Sequence, residues 1–118
     1  MTAMGVHYLI DFYGVEPLLI SYAEMMQEVI GGVVKNNNFT VIGEKFNQFE
    51  PYGVSGIYLL AQSHISFHTW VVEGIMTLDI FTCGAEEDAI KAIEQMKVLF
   101  KPKRNTVKRV LRGDEEDV

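Results

Sequence analysis

VSGIYLLAQSHISFHTWVVEGIMTLDIFTC, residues Val54–Cys83, decides the fold. Val54 to Ala61 is a near-continuous apolar run, as expected of a central strand covered on both faces or lying at an interface. Ile65 to Trp70 reads as the next strand, Glu73-Gly74 as a turn, and Ile75 to Cys83 as another strand. Runs joined this closely are hairpin neighbours, so the sheet is largely antiparallel.

Outward from this core, Val6 to Tyr13 is rich in β-branched, aromatic and aliphatic residues and ends at Gly14, which reads as a first strand. Glu16-Pro17 opens a helix, with proline in the first turn where its missing N–H is harmless. Leu18, Tyr22, Met25, Met26, Val29 and Val33 recur at helical spacing and form its inward face. Gly31-Gly32 and Asn36-Asn37-Asn38 mark its end. Phe39 to Phe46 is a strand and Asn47 to Gly53 a loop. Ala85 to Phe100 is a second amphipathic helix with Ile90, Ile93, Met96 and Phe100 inward. Glu86, Glu87 and Asp88 in its first turn, and Lys101 and Lys103 after its end, complement the helix dipole. Thr106 to Leu111 is a last short strand. The order β-α-β-β-β-β-α-β predicts an α+β fold, a two-layer α/β sandwich with two helices on one face of the sheet.

The 118 residues suit one domain, read as residues 1–113, followed by an acidic tail at 114–118 that carries much of the formal charge of −6. No apolar run reaches membrane-span length, and Met1 to Val6 carries no signal-peptide pattern, so a cytoplasmic address is expected. The basic stretch from Lys101 to Arg112 lacks aromatic interleaving and reads as a charged surface strand; no nucleic-acid partner is expected. One cysteine, Cys83, excludes an intramolecular disulfide, and three histidines (His7, His64, His68) show no metal-ligand spacing.

Ser63, His68 and Cys83 are the polar groups that stand out at strand ends. Alternation puts Ser66, His68 and Trp70 on one face, and Thr77, Asp79, Phe81 and Cys83 on another. If these strands pair, His68 and Cys83 face a common cleft. Ser63 and His68 are five positions apart and fall on opposite faces of a regular strand, so a bulge near His64 to Ser66 is needed to join them. By composition and spacing alone, a core or surface residue of no special role is the better reading of all three.

The segment Ser63-His64-Ile65-Ser66-Phe67-His68-Thr69-Trp70 resembles the self-cleavage motif of prokaryotic S-adenosylmethionine decarboxylases. Leu78-Asp79-Ile80-Phe81-Thr82-Cys83-Gly84 is similar to that family's proton-donor strand. Phe49-Glu50-Pro51-Tyr52-Gly53-Val54-Ser55-Gly56, His7-Tyr8-Leu9-Ile10-Asp11-Phe12-Tyr13-Gly14 and Lys101-Pro102-Lys103-Arg104 also fit, in the right order. The resemblance implies an enzyme that cuts itself between Gln62 and Ser63, leaving a pyruvoyl cofactor derived from Ser63. It implies that the Ser63 hydroxyl attacks the Gln62 carbonyl, that His68 removes the Ser63 α-proton, and that Ser55 assists. In turnover, the substrate amine condenses with the pyruvoyl ketone as a Schiff base. Cys83 then protonates the carbanion left by carbon dioxide; an ordinary thiol, with pKa about 8.5, holds its proton at neutral pH. Phe49 matches an aromatic that stacks on adenine, and the family works as a homodimer of α/β protomers.

Three positions depart from the family's pattern. Gln62 stands where glutamate usually precedes the serine. Val71-Val72-Glu73-Gly74 places Glu73, the candidate for the ribose hydroxyls, one position late. Asn47 stands near a usual histidine. The implied function is decarboxylation of S-adenosylmethionine for polyamine synthesis. Two alternatives stay open: the same chemistry on arginine or ornithine, and an uncleaved, non-catalytic dimer partner.

Overall fold

The computed structural model describes residues 3–114; most of the expected acidic tail, 115–118, lies outside the described residues. Six strands and two α-helices follow the expected order. The strands are β1 (Gly5–Tyr13), β2 (Val41–Gln48), β3 (Val54–Leu60), β4 (Ser63–Trp70), β5 (Ile75–Thr82) and β6 (Arg104–Arg112). The helices are α1 (Ala23–Asn36) and α2 (Glu86–Phe100). The sheet order is β2-β3-β4-β5-β1-β6, and every neighbouring pair is antiparallel.

The core is a single layer between sheet and helices. Tyr8, Ile10 and Phe12 of β1, Tyr58 and Leu60 of β3, Ile65 and Phe67 of β4 and Met76, Leu78 and Ile80 of β5 are buried there. They meet Met26, Ile30, Val33 and Val34 of α1 and Ala89, Ala92, Ile93, Met96 and Phe100 of α2. Alternation along each strand sends the intervening residues to the other face. Among the described residues nothing covers that face, and Leu9, Ile57 and Leu59 stay exposed on it. The apolar run at 54–61 is therefore covered by this chain on one face only.

Each helix buries part of its expected face: Met26 and Val33 of α1 and Ile93, Met96 and Phe100 of α2 lie in the core, and the remaining positions differ. Pro17–Leu19 is a short 3-10 turn, not the start of the helix, and α1 begins at Ala23. Buried Ile20 and Ser21 separate the two, with the Ser21 hydroxyl donating to the Pro17 carbonyl at 2.6 Å. The break resets the helical phase, so Leu18, Tyr22 and Met25 are exposed. In α2 the buried positions run 89, 92, 93, 96 and 100; Ile90 lies beside that stripe and is exposed. β4 starts two residues before the expected Ile65, so Ser63 is part of the strand.

Gly56 lets β3 and β4 approach the core. A Cβ there lands 2.5 Å from the ring of fully buried Phe67, which also packs edge-on to Phe46 at 5.4 Å between centroids. Gly56→Ala is expected to destabilise the fold by about 1–3 kcal/mol through overpacking. Urea unfolding checks this; an unchanged midpoint means Phe67 has a free alternative rotamer.

Candidate active site

Strand pairing lines up the uncovered face in transverse rows. One row crosses all six strands: Asn47, Ser55, His68, Thr77, Asp11 and Thr106. Ser55 and His68 are direct cross-strand partners, and Ser55 Oγ lies 2.9 Å from His68 Nδ1. With that nitrogen engaged, the other, Nε2, is presented outward on an exposed ring.

Ser63 lies in a different row and on the other face. It pairs with Leu60 and Thr82, the last residues of β3 and β5. Ala61 and Gln62 form the turn before it, and Gln62 is exposed. A cavity of about 280 Å³ flanks this bond, lined by Asn38, Thr40, Gln62, Ser63, Thr82 and Asp88 among others. The Cys83 backbone N–H donates to the Gln62 carbonyl at 3.2 Å. A donor held on that oxygen withdraws charge from the carbonyl carbon and stabilises an oxyanion there. The Cys83 thiol is exposed beside it. Room around the bond and a donor already on its carbonyl fit the conversion of residue 63 into a pyruvoyl group.

The expected clefts do not form within one chain. No bulge interrupts β4: its register with β3 and β5 is continuous from Ser63 to His68. Five positions on an unbroken strand leave Ser63 and His68 on opposite faces, about 16 Å apart along β4. β4 and β5 do pair, but His68 stands opposite Thr77, six positions before Cys83. Phe49 and Glu73 belong to the His68 end. Phe49, exposed, follows β2, and its N–H donates to the Gly53 carbonyl at 2.8 Å. Glu73 is exposed in the turn from Val71 to Gly74, beyond the last β4–β5 pair, Trp70 and Ile75. No strand bulge carries it back onto the sheet face.

His7 lies on the uncovered face, in the row of Phe81 and His64 next to the Ser63 end. Arg112 Nη1 is 3.1 Å from its Nδ1, so the neutral ring carries its proton on Nε2, 3.7 Å from Asp79. Its ring meets His64 and Phe81 edge-on. Burial lowers its pKa below the ordinary 6.5; Asp79 opposes the shift, and Arg112 and His64 add to it. The fold thus favours the neutral ring. As pH falls below 6.5 the unfolded chain takes a proton that the folded one resists, and stability declines until the folded pKa is passed. His7→Asn is expected to flatten that decline between pH 7 and 5, measured by urea unfolding at each pH. Parallel curves for both proteins place the effect elsewhere.

Sequence reasoning missed the Cys83 amide, which no residue type reveals, and the partner of Glu86. The Glu86 carboxylate, taken for a dipole-complementing acid, accepts from the Tyr8 hydroxyl and from the Arg109 guanidinium. Among the described residues no group of three or more His, Cys, Asp or Glu is arranged to hold a metal. Nor is any described helix long and apolar enough to cross a membrane.

These features define a small α+β enzyme whose polar groups sit at the two ends of a sheet uncovered on one face. The chain belongs to the S-adenosylmethionine decarboxylase family, whose profile it matches over residues 6–113. It is 46% identical over 113 residues to the S-adenosylmethionine decarboxylase proenzyme of Thermoplasma volcanium, covering 96% of this chain and 87% of that one. The Pyrococcus horikoshii proenzyme is 37% identical over 117 residues, covering 99% and 84%. The crystal structure of adenosylmethionine decarboxylase from Aquifex aeolicus superposes with a TM-score of 0.92 at 37% identity, covering 100% of this chain and 98% of that one.

Proposed function

We propose that this protein is a self-processing, pyruvoyl-dependent S-adenosylmethionine decarboxylase that works as a homodimer, producing decarboxylated S-adenosylmethionine for polyamine synthesis. Family membership and relatives named as proenzymes support the activity. The observation that carries the self-cleavage is the Gln62–Ser63 bond, exposed in a hairpin turn with its carbonyl on the Cys83 N–H.

The Ser63 hydroxyl attacks the Gln62 carbonyl carbon and turns the amide into an ester, while the Cys83 N–H holds the oxygen on which charge develops. His68, tied through Nδ1 to Ser55, takes the Ser63 α-proton at Nε2. Elimination breaks the ester and separates residues 1–62 from 63–118. Water then adds to the new dehydroalanine and ammonia leaves, giving the pyruvoyl cap. That group supplies a ketone as electron sink when the substrate carboxylate leaves. The Cys83 thiol holds the proton destined for the substrate carbon.

The separation of Ser63 from His68 supports a site shared between two copies. A second copy packed by two-fold symmetry on the uncovered face brings its Ser55–His68 pair to the Gln62–Ser63–Cys83 end of the first, and the reverse. Exposed Leu9, Ile57 and Leu59 are the apolar surface such a contact buries. Phe49 and Glu73 then reach the partner's site, as a platform for adenine and a candidate acceptor for the ribose hydroxyls. A required free thiol suits a reducing compartment, the cytoplasm.

Intact mass spectrometry of denatured protein tests the processing. Two fragments split before Ser63, the second with a pyruvoyl cap, are expected, and carbon dioxide release from S-adenosylmethionine follows. A single uncut chain after long incubation sinks the reading.

A further inference from the structure

The start of α2 is fixed by an unusual device. Its N-cap residue, Ala85, offers no side chain to the free N–H groups, so the ordinary capping bond is missing. Glu86, the first helical residue, turns its carboxylate to the sheet and accepts from the Tyr8 hydroxyl, from Arg109 Nε, and from Arg109 Nη2 at 3.2 Å. Tyr8 and Arg109 are direct cross-strand partners on β1 and β6. Tyr8 is 5% exposed, which makes it a rigid anchor. The fork of the guanidinium sets the angle of the carboxylate as well as its position. Hydrogen bonds from Arg109 and Tyr8 hold the Glu86 carboxyl below its ordinary pKa, and burial raises that of Tyr8.

Only Cys83, Gly84 and Ala85 separate the end of β5 from Glu86. The other end of this link is tied as well. The Gly84 N–H donates to the Thr82 hydroxyl at 3.0 Å, and Thr82 is paired with Ser63. Gly84 also lies so close to the Gln62 amide that a Cβ there would meet Gln62 Oε1 at 2.9 Å. A three-residue link held at both ends has little freedom. A displacement at Glu86 is passed to the Cys83 N–H and thiol.

We propose that Tyr8, Glu86 and Arg109 are positioning residues that hold the Cys83 link in register with the Gln62–Ser63 bond, and so set both the rate of self-cleavage and the reactivity of the thiol. This rests on the processing reading above. The cluster touches neither the scissile bond nor the thiol, and acts through the link.

The test uses the full chain with Arg109→Met, Glu86→Gln and Tyr8→Phe, and Lys91→Met as control. Lys91 is exposed on α2 and lies off the uncovered sheet face. Two readouts go beyond stability: the rate of cleavage of fresh precursor, followed by mass, and the iodoacetamide alkylation rate of Cys83 as a function of pH. The alkylation series is run in a Ser63→Ala background, so it needs no cleavage, and Cys83 is the only thiol in the chain. Arg109→Met is expected to slow cleavage about tenfold, the scale of a sub-ångström misplacement, and to shift alkylation about threefold or more. Tyr8→Phe, which removes one hydrogen bond and keeps the packing, moves both in the same direction by less. Lys91→Met moves neither.

Cleavage and alkylation at wild-type values in Arg109→Met and Glu86→Gln overturn the proposal. Equal effects from Lys91→Met also overturn it, since they make the cause the loss of a positive charge. Should the wild-type chain itself stay uncut, the processing reading fails, and the alkylation series still decides the clamp.

Discussion

Ser63→Ala and His68→Ala are each expected to stay a single uncut chain, and a mixture of the two, unfolded and refolded together, is expected to be cut. The cut falls only on the His68→Ala chain. That chain keeps its Ser63 and receives a histidine from its Ser63→Ala partner. The reverse site holds both substitutions and stays silent. The expectation follows from the unbroken register of β4, which leaves Ser63 and His68 on opposite faces of one chain. Cleavage in the mixture goes from none to all of the His68→Ala chains in mixed dimers, so the effect is all-or-none. Denatured mass spectrometry reads it directly, because the two precursors differ in mass. Hydroxylamine adds a further arm, since it splits an ester but leaves an amide: His68→Ala alone is expected to yield some hydroxylamine-cut chain, and Ser63→Ala none. Cleavage of pure His68→Ala at the wild-type rate removes His68 from the chemistry. A mixture that stays uncut removes the shared site.

Cys83→Ala is expected to be cut and then to turn over poorly. The hydrogen bond to the Gln62 carbonyl comes from the backbone N–H at residue 83, and alanine keeps it. The thiol is exposed and packs no core, so the fold survives its loss. What is removed is the proposed proton donor, and such groups contribute about 10²–10⁴-fold to rate. The expected pattern is a fall of that size in kcat with a smaller change in KM, measured on fully processed protein. Cys83→Ser holds the geometry with a weaker acid and falls between. Full turnover by processed Cys83→Ala ends the proton-donor assignment. Failure to cleave gives the thiol, and not only the amide, a part in processing.

The order of elements was legible because β1 and β5 alternate and the gaps between β3, β4 and β5 are too short for anything but hairpins. The helix faces were less so. Pro17 starts a 3-10 turn as readily as an α-helix, and a break at Ile20-Ser21 leaves Leu18, Tyr22 and Met25 outside the buried stripe that keeps Met26 and Val33. The alternation rule already placed Ser63 and His68 on opposite faces. A bulge is one way to reunite them; the proposed second copy needs none. The pairing of Ser55 with His68 depends on the register of β3 and β4, which residue types leave open. The Glu86 cluster was invisible for a related reason: its partners lie 78 and 23 positions away in the chain.

The strand order carries a consequence for the cut protein. Residues 1–62 supply β1, β2 and β3, and residues 63–118 supply β4, β5 and β6. In the sheet these alternate as β2-β3, then β4-β5, then β1, then β6. The first strand of one piece is thus gripped on both edges by the other piece, and the cut does not set the pieces free. Unfolding changes its molecularity instead. Within one copy, the uncut chain unfolds as one piece; after the cut its two pieces also part, a dissociation obeying mass action. Each tenfold dilution then lowers the stability of a copy by about 1.4 kcal/mol, beyond any dependence the uncut protein already has. The melting point of the mature protein thus becomes a gauge of its concentration.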